Sequence, residues 1–129
     1  MKRTLIRTDL APAAIGPYSQ GVVTGGKALV FTAGQIPLDK DTGRIKGSDI
    51  QSQTRTALQN LAAVLDAAGS GLPHVVKATV FLRNMDHFPE MNAVYSEFFP
   101  QDPPARSAVE VARLPKDVLI EIECIAEIP

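Results

Sequence analysis

The residues of this chain best suited to chemistry lie near its C-terminus. They sit in Pro104-Ala105-Arg106-Ser107-Ala108-Val109-Glu110-Val111-Ala112-Arg113-Leu114-Pro115 and in Val118-Leu119-Ile120-Glu121-Ile122-Glu123-Cys124. Both runs alternate apolar and polar residues, and a short proline-containing turn separates them, so together they predict a β-hairpin. A turn centred on Leu114 and Pro115 sets Val111 opposite Val118, Ala108 opposite Glu121 and Arg106 opposite Glu123. Parity then gathers Arg106, Ala108, Glu110, Glu121 and Glu123 on one face and sends Val109, Val111, Ile120 and Ile122 to a helix-packed face. Two readings of Arg106 stand at this point. Its fork of donors suits a ligand carboxylate held through two parallel hydrogen bonds, in a crevice partly dried by a second subunit. Alternatively it makes a surface ion pair with Glu123, which contributes little to stability.

Other reactive side chains lack the company their chemistry requires. Ser107 has no nucleophile-elbow glycines, and its parity points it to the core. Cys124 shares the aliphatic face with Ile120 and Ile122 and reads as an inert buried thiol. His74 and His87 lack zinc-ligand spacing, and no phosphate-cradling glycine loop is present. Asp39-Lys40-Asp41-Thr42-Gly43 resembles the start of a calcium loop, but the glycine comes one position early and Ile50 replaces the bidentate glutamate. It reads as a solvated turn.

The elements that must position these residues follow from periodicity and punctuation. Pro12, Gly16 and Pro17 make the segment before Tyr18 irregular. Gln20 to Thr24 and Ala28 to Ala33 flank Gly25-Gly26 as a hairpin. Ser48 with Gln51 reads as a capping box for a helix from about 49 to 68, whose stripe is Ile50, Ala57, Leu58, Leu61, Leu65 and Ala68, with Gly69 as its stop. Val75 to Arg83 is a strand with Val76, Ala78, Val80 and Leu82 on one face. Asp86 is placed to cap a second helix, with Pro89 in its first turn and Phe88, Met91, Tyr95 and Phe98 as its buried stripe. Asn92 lies one step round from Met91, facing either water or a neighbouring loop. The order strand–strand–helix–strand–helix–strand–strand predicts a two-layer α/β sandwich: a mixed sheet with both helices on one face.

Composition narrows the classes. A length of 129 residues fits a single domain spanning 1–129. A net charge of −1, two Tyr and no Trp argue against a nucleic-acid surface. No run approaches the length of a membrane span, the start lacks a signal-peptide apolar segment, and the one cysteine fits a reducing cytoplasm.

Several motifs in order resemble one family over essentially the whole chain. They are Ala13-Ala14-Ile15-Gly16-Pro17-Tyr18-Ser19-Gln20, Ala33-Gly34-Gln35-Ile36-Pro37, Val76-Lys77-Ala78-Thr79-Val80-Phe81-Leu82, Met91-Asn92-Ala93-Val94-Tyr95, and Pro104-Ala105-Arg106-Ser107 through Leu114-Pro115 with Ile120-Glu121-Ile122-Glu123. The chain is similar to the RidA subgroup of the YjgF family of reactive-intermediate (enamine/imine) deaminases. The resemblance implies a chorismate-mutase-like fold assembled as a homotrimer with clefts between subunits. It implies hydrolysis of 2-imino acids, such as 2-iminobutanoate and 2-iminopropanoate, to 2-keto acids and ammonia, without cofactor or metal. Arg106 would grip the substrate carboxylate, and Glu121 would orient or deprotonate the attacking water. Tyr18 and Asn92 would close the cleft from a neighbouring subunit or a distant loop, and Gly34 would offer main-chain contacts. Ala33 and Ala108 stand where some members carry serine and cysteine, so only main-chain groups can act there. Two other functions fit the resemblance: an endoribonuclease or translation inhibitor, and a trimer that binds small carboxylates without turnover.

Overall fold

The computed structural model of the protein describes residues 4–14, 18–25 and 28–129. Gly26 of the expected turn and Ile15-Gly16-Pro17 of the N-terminal motif lie outside the described residues. Eight main elements follow in order: β1 (Thr4–Ile6), β2 (Gly21–Val23), β3 (Leu29–Thr32), α1 (Ile50–Ala67), β4 (Val75–Leu82), α2 (Phe88–Phe98), β5 (Ala105–Glu110) and β6 (Ile120–Glu127). The strands form one mixed sheet in the order β1-β2-β3-β6-β4-β5.

Helix α1 forms where its stripe predicts, but its cap sits one residue later than expected. Asp49 accepts from the Ser52 N–H at 2.8 Å, and Ser52 Oγ accepts from the Asp49 N–H at 3.4 Å. The box therefore uses Asp49 and Ser52 rather than Ser48 and Gln51. Gly69 ends the helix at φ +79, a conformation that favours glycine. Helix α2 starts differently from the expectation at Asp86. Asn84 caps a 3-10 turn at Met85–His87 by accepting from the Asp86 N–H at 2.9 Å. That turn runs directly into α2, which has Pro89 in its first turn and no side-chain cap of its own.

Both helices cover one face of the sheet. Val30, Ala78, Val80, Leu82, Ile120, Ile122 and Cys124 point into a core shared with Leu58, Leu61 and Leu65 of α1 and Met91 and Tyr95 of α2. Each fully buried aliphatic there contributes roughly 1.5–3 kcal/mol. Val76 departs from its expected face. The ladder slips between Val75 and Lys77, so Val75 is buried and Val76 is turned out at 42% exposure.

The predicted terminal hairpin does not form. β5 pairs in parallel with β4, and β6 inserts between β3 and β4, antiparallel to both. The connecting segment crosses the end of β4, where the Val111 N–H donates to Leu82 O and the Arg83 N–H to Leu119 O. Composition explains the exchange. Ile120, Ile122 and Cys124 suit a central strand, whereas Ala105-Arg106-Ser107-Ala108-Val109-Glu110 offers few large aliphatics and suits an edge.

Candidate active site

Glu121 sits against a break in its neighbouring strand. Phe31 pairs with Ile125, and the next bridge is Gln35 with Ile122, so Thr32, Ala33 and Gly34 oppose only Glu123 and Cys124. The extra residue is a bulge. Thr32 secures one end: its Oγ1 accepts from the Cys124 N–H at 3.0 Å and donates to Cys124 O at 3.3 Å. Gln35 secures the other, exchanging backbone bonds with Ile122 at 2.8 and 3.1 Å. The Ala33 N–H donates to Gln20 O at 2.8 Å, while the Gly34 N–H meets no backbone acceptor among the described residues. A Cβ on Gly34 would collide with the Glu121 carboxylate, so glycine is what lets that side chain lie across the bulge.

A cavity of about 440 Å³ opens here, lined by Tyr18, Ala33, Gly34, Gln35, Lys116 and Glu121 among others. Burial pushes the Glu121 carboxyl above its ordinary value, and the nearby Glu123 charge adds to the rise. Gln20 fixes the approach to Tyr18. Its buried amide accepts from the Thr8 N–H at 2.8 Å and donates to Pro12 O at 2.7 Å. Thr8 and Pro12 are thus tied to Gln20, and Pro12 and Ala13 border the cavity.

Arg106 belongs to a different place. It pairs with Ala78, whose side chain is in the core, so Arg106 and Ala108 lie on the helix side of the edge strand. Its Nη1 donates to Asn92 Oδ1 at 2.8 Å. Its guanidinium carbon stands 4.6 Å from the Tyr95 ring centroid and 5.2 Å from that of Phe88. The expected pair with Glu123 is absent: Glu123 pairs with Thr79 on the open face, beside Ser107. Among the described residues Arg106 makes no salt bridge. It is a half-buried cation with a neutral partner on one side of its fork.

The seven residues singled out from sequence therefore fall into two groups. Tyr18, Ala33, Gly34 and Glu121 come together at the cavity, and Asn92, Arg106 and Ala108 come together at the edge strand and α2. Within one chain, Glu121 and Arg106 stand on opposite faces. Two strand spacings and three residues of register put their Cα atoms roughly 14 Å apart. The shared face expected for them is corrected by the parallel pairing of β5. Two neighbours were also misplaced. Ser107 faces outward and accepts from Lys77 Nζ at 2.9 Å, and Val109 is 42% exposed. Cys124 is buried as expected, and desolvation pushes its thiol up to about 12.

Four contributing residues were missed. Gln20 reads in sequence as the last residue of a motif and the first of a strand, with no spacing signal for its bonds to residues eight to twelve positions earlier. Phe88 and Tyr95 were read as core stripe, and their spacing from Asn92 was the available hint that they share a face with it. Lys116 borders the cavity at φ 55, a left-handed conformation that no glycine advertises.

Among the described residues, no helix is long and apolar enough to cross a membrane. The family described as endoribonuclease L-PSP matches residues 8–128. A RutC family protein of Pyrococcus abyssi is 52% identical over 126 residues, covering 98% of each chain. A protein of Salmonella typhimurium named 2-iminobutanoate/2-iminopropanoate deaminase is 51% identical over 124 residues, covering 94% of each. The solved structure of Escherichia coli TdcF with bound serine superposes with a TM-score of 0.90 at 47% identity, covering 96% of this chain and 98% of that one. Relatives at similar identity thus carry names that differ in what they say about activity.

Proposed function

The chain belongs to the endoribonuclease L-PSP (YjgF/RutC) family, and from that premise we propose that it hydrolyses small 2-imino acids to 2-keto acids and ammonia. One observation carries the reading: a half-buried Arg106 that no acidic side chain among the described residues neutralises. A desolvated guanidinium with an open fork edge is matched by a ligand carboxylate. Relatives named as 2-iminobutanoate/2-iminopropanoate deaminases, and a relative holding serine, support a small carboxylate at such a site.

The chemistry needs a second group. A protonated imine is already electrophilic, so holding it beside water supplies much of the rate. Glu121, ionised, takes a proton as water attacks the carbon of the protonated imine and returns it to the nitrogen of the carbinolamine. As the C–N bond breaks it takes the carbinol hydroxyl proton and passes it to the departing ammonia, giving the 2-keto acid and ammonium. A carboxyl raised above its usual range is better matched to that exchange near neutral pH. Gly34 lines the same cavity, and its N–H meets no backbone acceptor among the described residues.

Since Arg106 and Glu121 lie on opposite faces of one sheet, the site is completed between copies, Arg106 from one and Glu121 from the next. The open face favours such assembly. Leu5, Val22, Phe31 and Ile125 form a row across it, with Leu5 60% and Phe31 39% exposed. A closed homotrimer with heterologous contacts is the arrangement we propose.

The test supplies imine generated in place by a threonine dehydratase and follows 2-ketobutanoate and ammonia. Wild-type protein accelerates their release. Arg106→Ala lowers kcat/KM by about 100-fold or more, since each charge-assisted bond lost is worth about 1.5–3 kcal/mol. A wild-type protein without effect on the imine would overturn the proposal. RNA cleavage that persists through repurification and vanishes with Arg106→Ala would replace it.

A further inference from the structure

We infer that Phe88, Asn92 and Tyr95 form a clamp that presets the Arg106 guanidinium for a ligand monocarboxylate, with Phe88 and Tyr95 as positioning residues. This rests on the reading of Arg106 as the carboxylate anchor. The three residues recur at i, i+4 and i+7 of α2, so one helical stripe presents them together to the edge strand. Met91 and Tyr95 bury that helix in the core, which makes the platform rigid. An arginine on an exposed edge samples many rotamers. This one is held by the Tyr95 ring at 4.6 Å, the Phe88 ring at 5.2 Å and the Asn92 oxygen at 2.8 Å. Aromatic faces attract the cation without using its N–H donors.

The identity of the polar member, Asn92, matters most. Asn92 occupies Nη1 with a neutral oxygen, leaving the guanidinium its full charge and the rest of its fork. Aspartate would reach the same nitrogen, yet its charge would cancel the attraction for a ligand carboxylate. A neutral amide is what a site awaiting an anion requires. Tyr95 acts here through its ring, because its buried hydroxyl has no hydrogen-bond partner among the described residues.

The test uses the full chain, with KM and kcat for dehydratase-generated imine and calorimetric binding of 2-ketobutanoate. Asn92→Asp raises KM and the Kd for 2-ketobutanoate by about tenfold or more without lowering Tm, because the fold gains an ion pair as the site loses its free charge. Phe88→Leu and Tyr95→Leu raise KM by about three- to thirtyfold with smaller effects on kcat, and Tyr95→Phe restores KM to within about twofold. A merely structural clamp would be improved by Asn92→Asp and would leave its binding of 2-ketobutanoate intact. That result, or unchanged KM in both leucine variants while Arg106→Ala abolishes turnover, would overturn the clamp and leave the anchor standing. Wild-type protein that neither binds 2-ketobutanoate nor hydrolyses the imine would remove the anchor and the clamp with it.

Discussion

At the scale of single residues, Glu121 carries a conflict between folding and chemistry. Burial, then the charge of Glu123, lifts its carboxyl above the ordinary 4.5. A carboxyl raised in the folded state contributes stability that is complete below its unfolded value and lost as pH rises through the folded one. Ionised Glu121 is therefore a liability at neutral pH, and Glu121→Gln should raise Tm there while removing turnover. As the proposed base Glu121 would have to be ionised, so kcat/KM should fall on acidification at a pH above 4.5. Glu123→Gln should move that limb down by part of the displacement only, burial being the larger cause. A limb at or below the ordinary carboxylate value would contradict the role. The alternation within each strand was legible in sequence: Arg106 shares a face with Ala108, and Glu121 with Glu123. The partner of Arg106 was not: alternation reports which residues share a strand face, and says nothing about which strand lies alongside.

At the scale of elements, the bulge between β3 and the Gln35 bridge does the positioning. Thr32 and Gln35 clamp its two ends, and Gly34 leaves room for the Glu121 carboxylate. Gly34 does not have a positive φ, so alanine there meets no backbone penalty and acts through the collision alone. Gly34→Ala should therefore cut kcat/KM by about tenfold or more by displacing Glu121, with Tm reduced little, a split that melting curves and kinetics separate. Equal activity in this variant would show that the carboxylate position is unimportant. Elements with strong local signals were readable: α1 was expected over 49–68 and spans Ile50–Ala67. β1 was missed, since Thr4-Leu5-Ile6 is too short for a periodic signal. The hairpin of β5 and β6 failed because a segment long enough to turn back is also long enough to step over one strand. The richer aliphatic face of β6 then claimed the central position.

At the scale of the whole molecule, the two groups of candidate residues lie on opposite faces of the sheet, and an exposed apolar row crosses it. The proposed assembly would account for both features at once: it would cover Leu5 and Phe31 and bring Arg106 of one copy to Glu121 of the next. The two-layer architecture with both helices on one face was legible from element order, because right-handed crossovers leave few alternatives. The division of the site was not, because it depends on which strand became the edge. The most direct measurement combines two inactive variants. Arg106→Ala and Glu121→Gln proteins are unfolded together in equal amounts, refolded, and assayed for imine hydrolysis. In a ring of randomly mixed copies, about one interface in four pairs an intact Arg106 with an intact Glu121. The mixture should recover about a quarter of wild-type activity, where each variant alone has almost none. Mixed assemblies that form but stay inactive would contradict a site shared between copies.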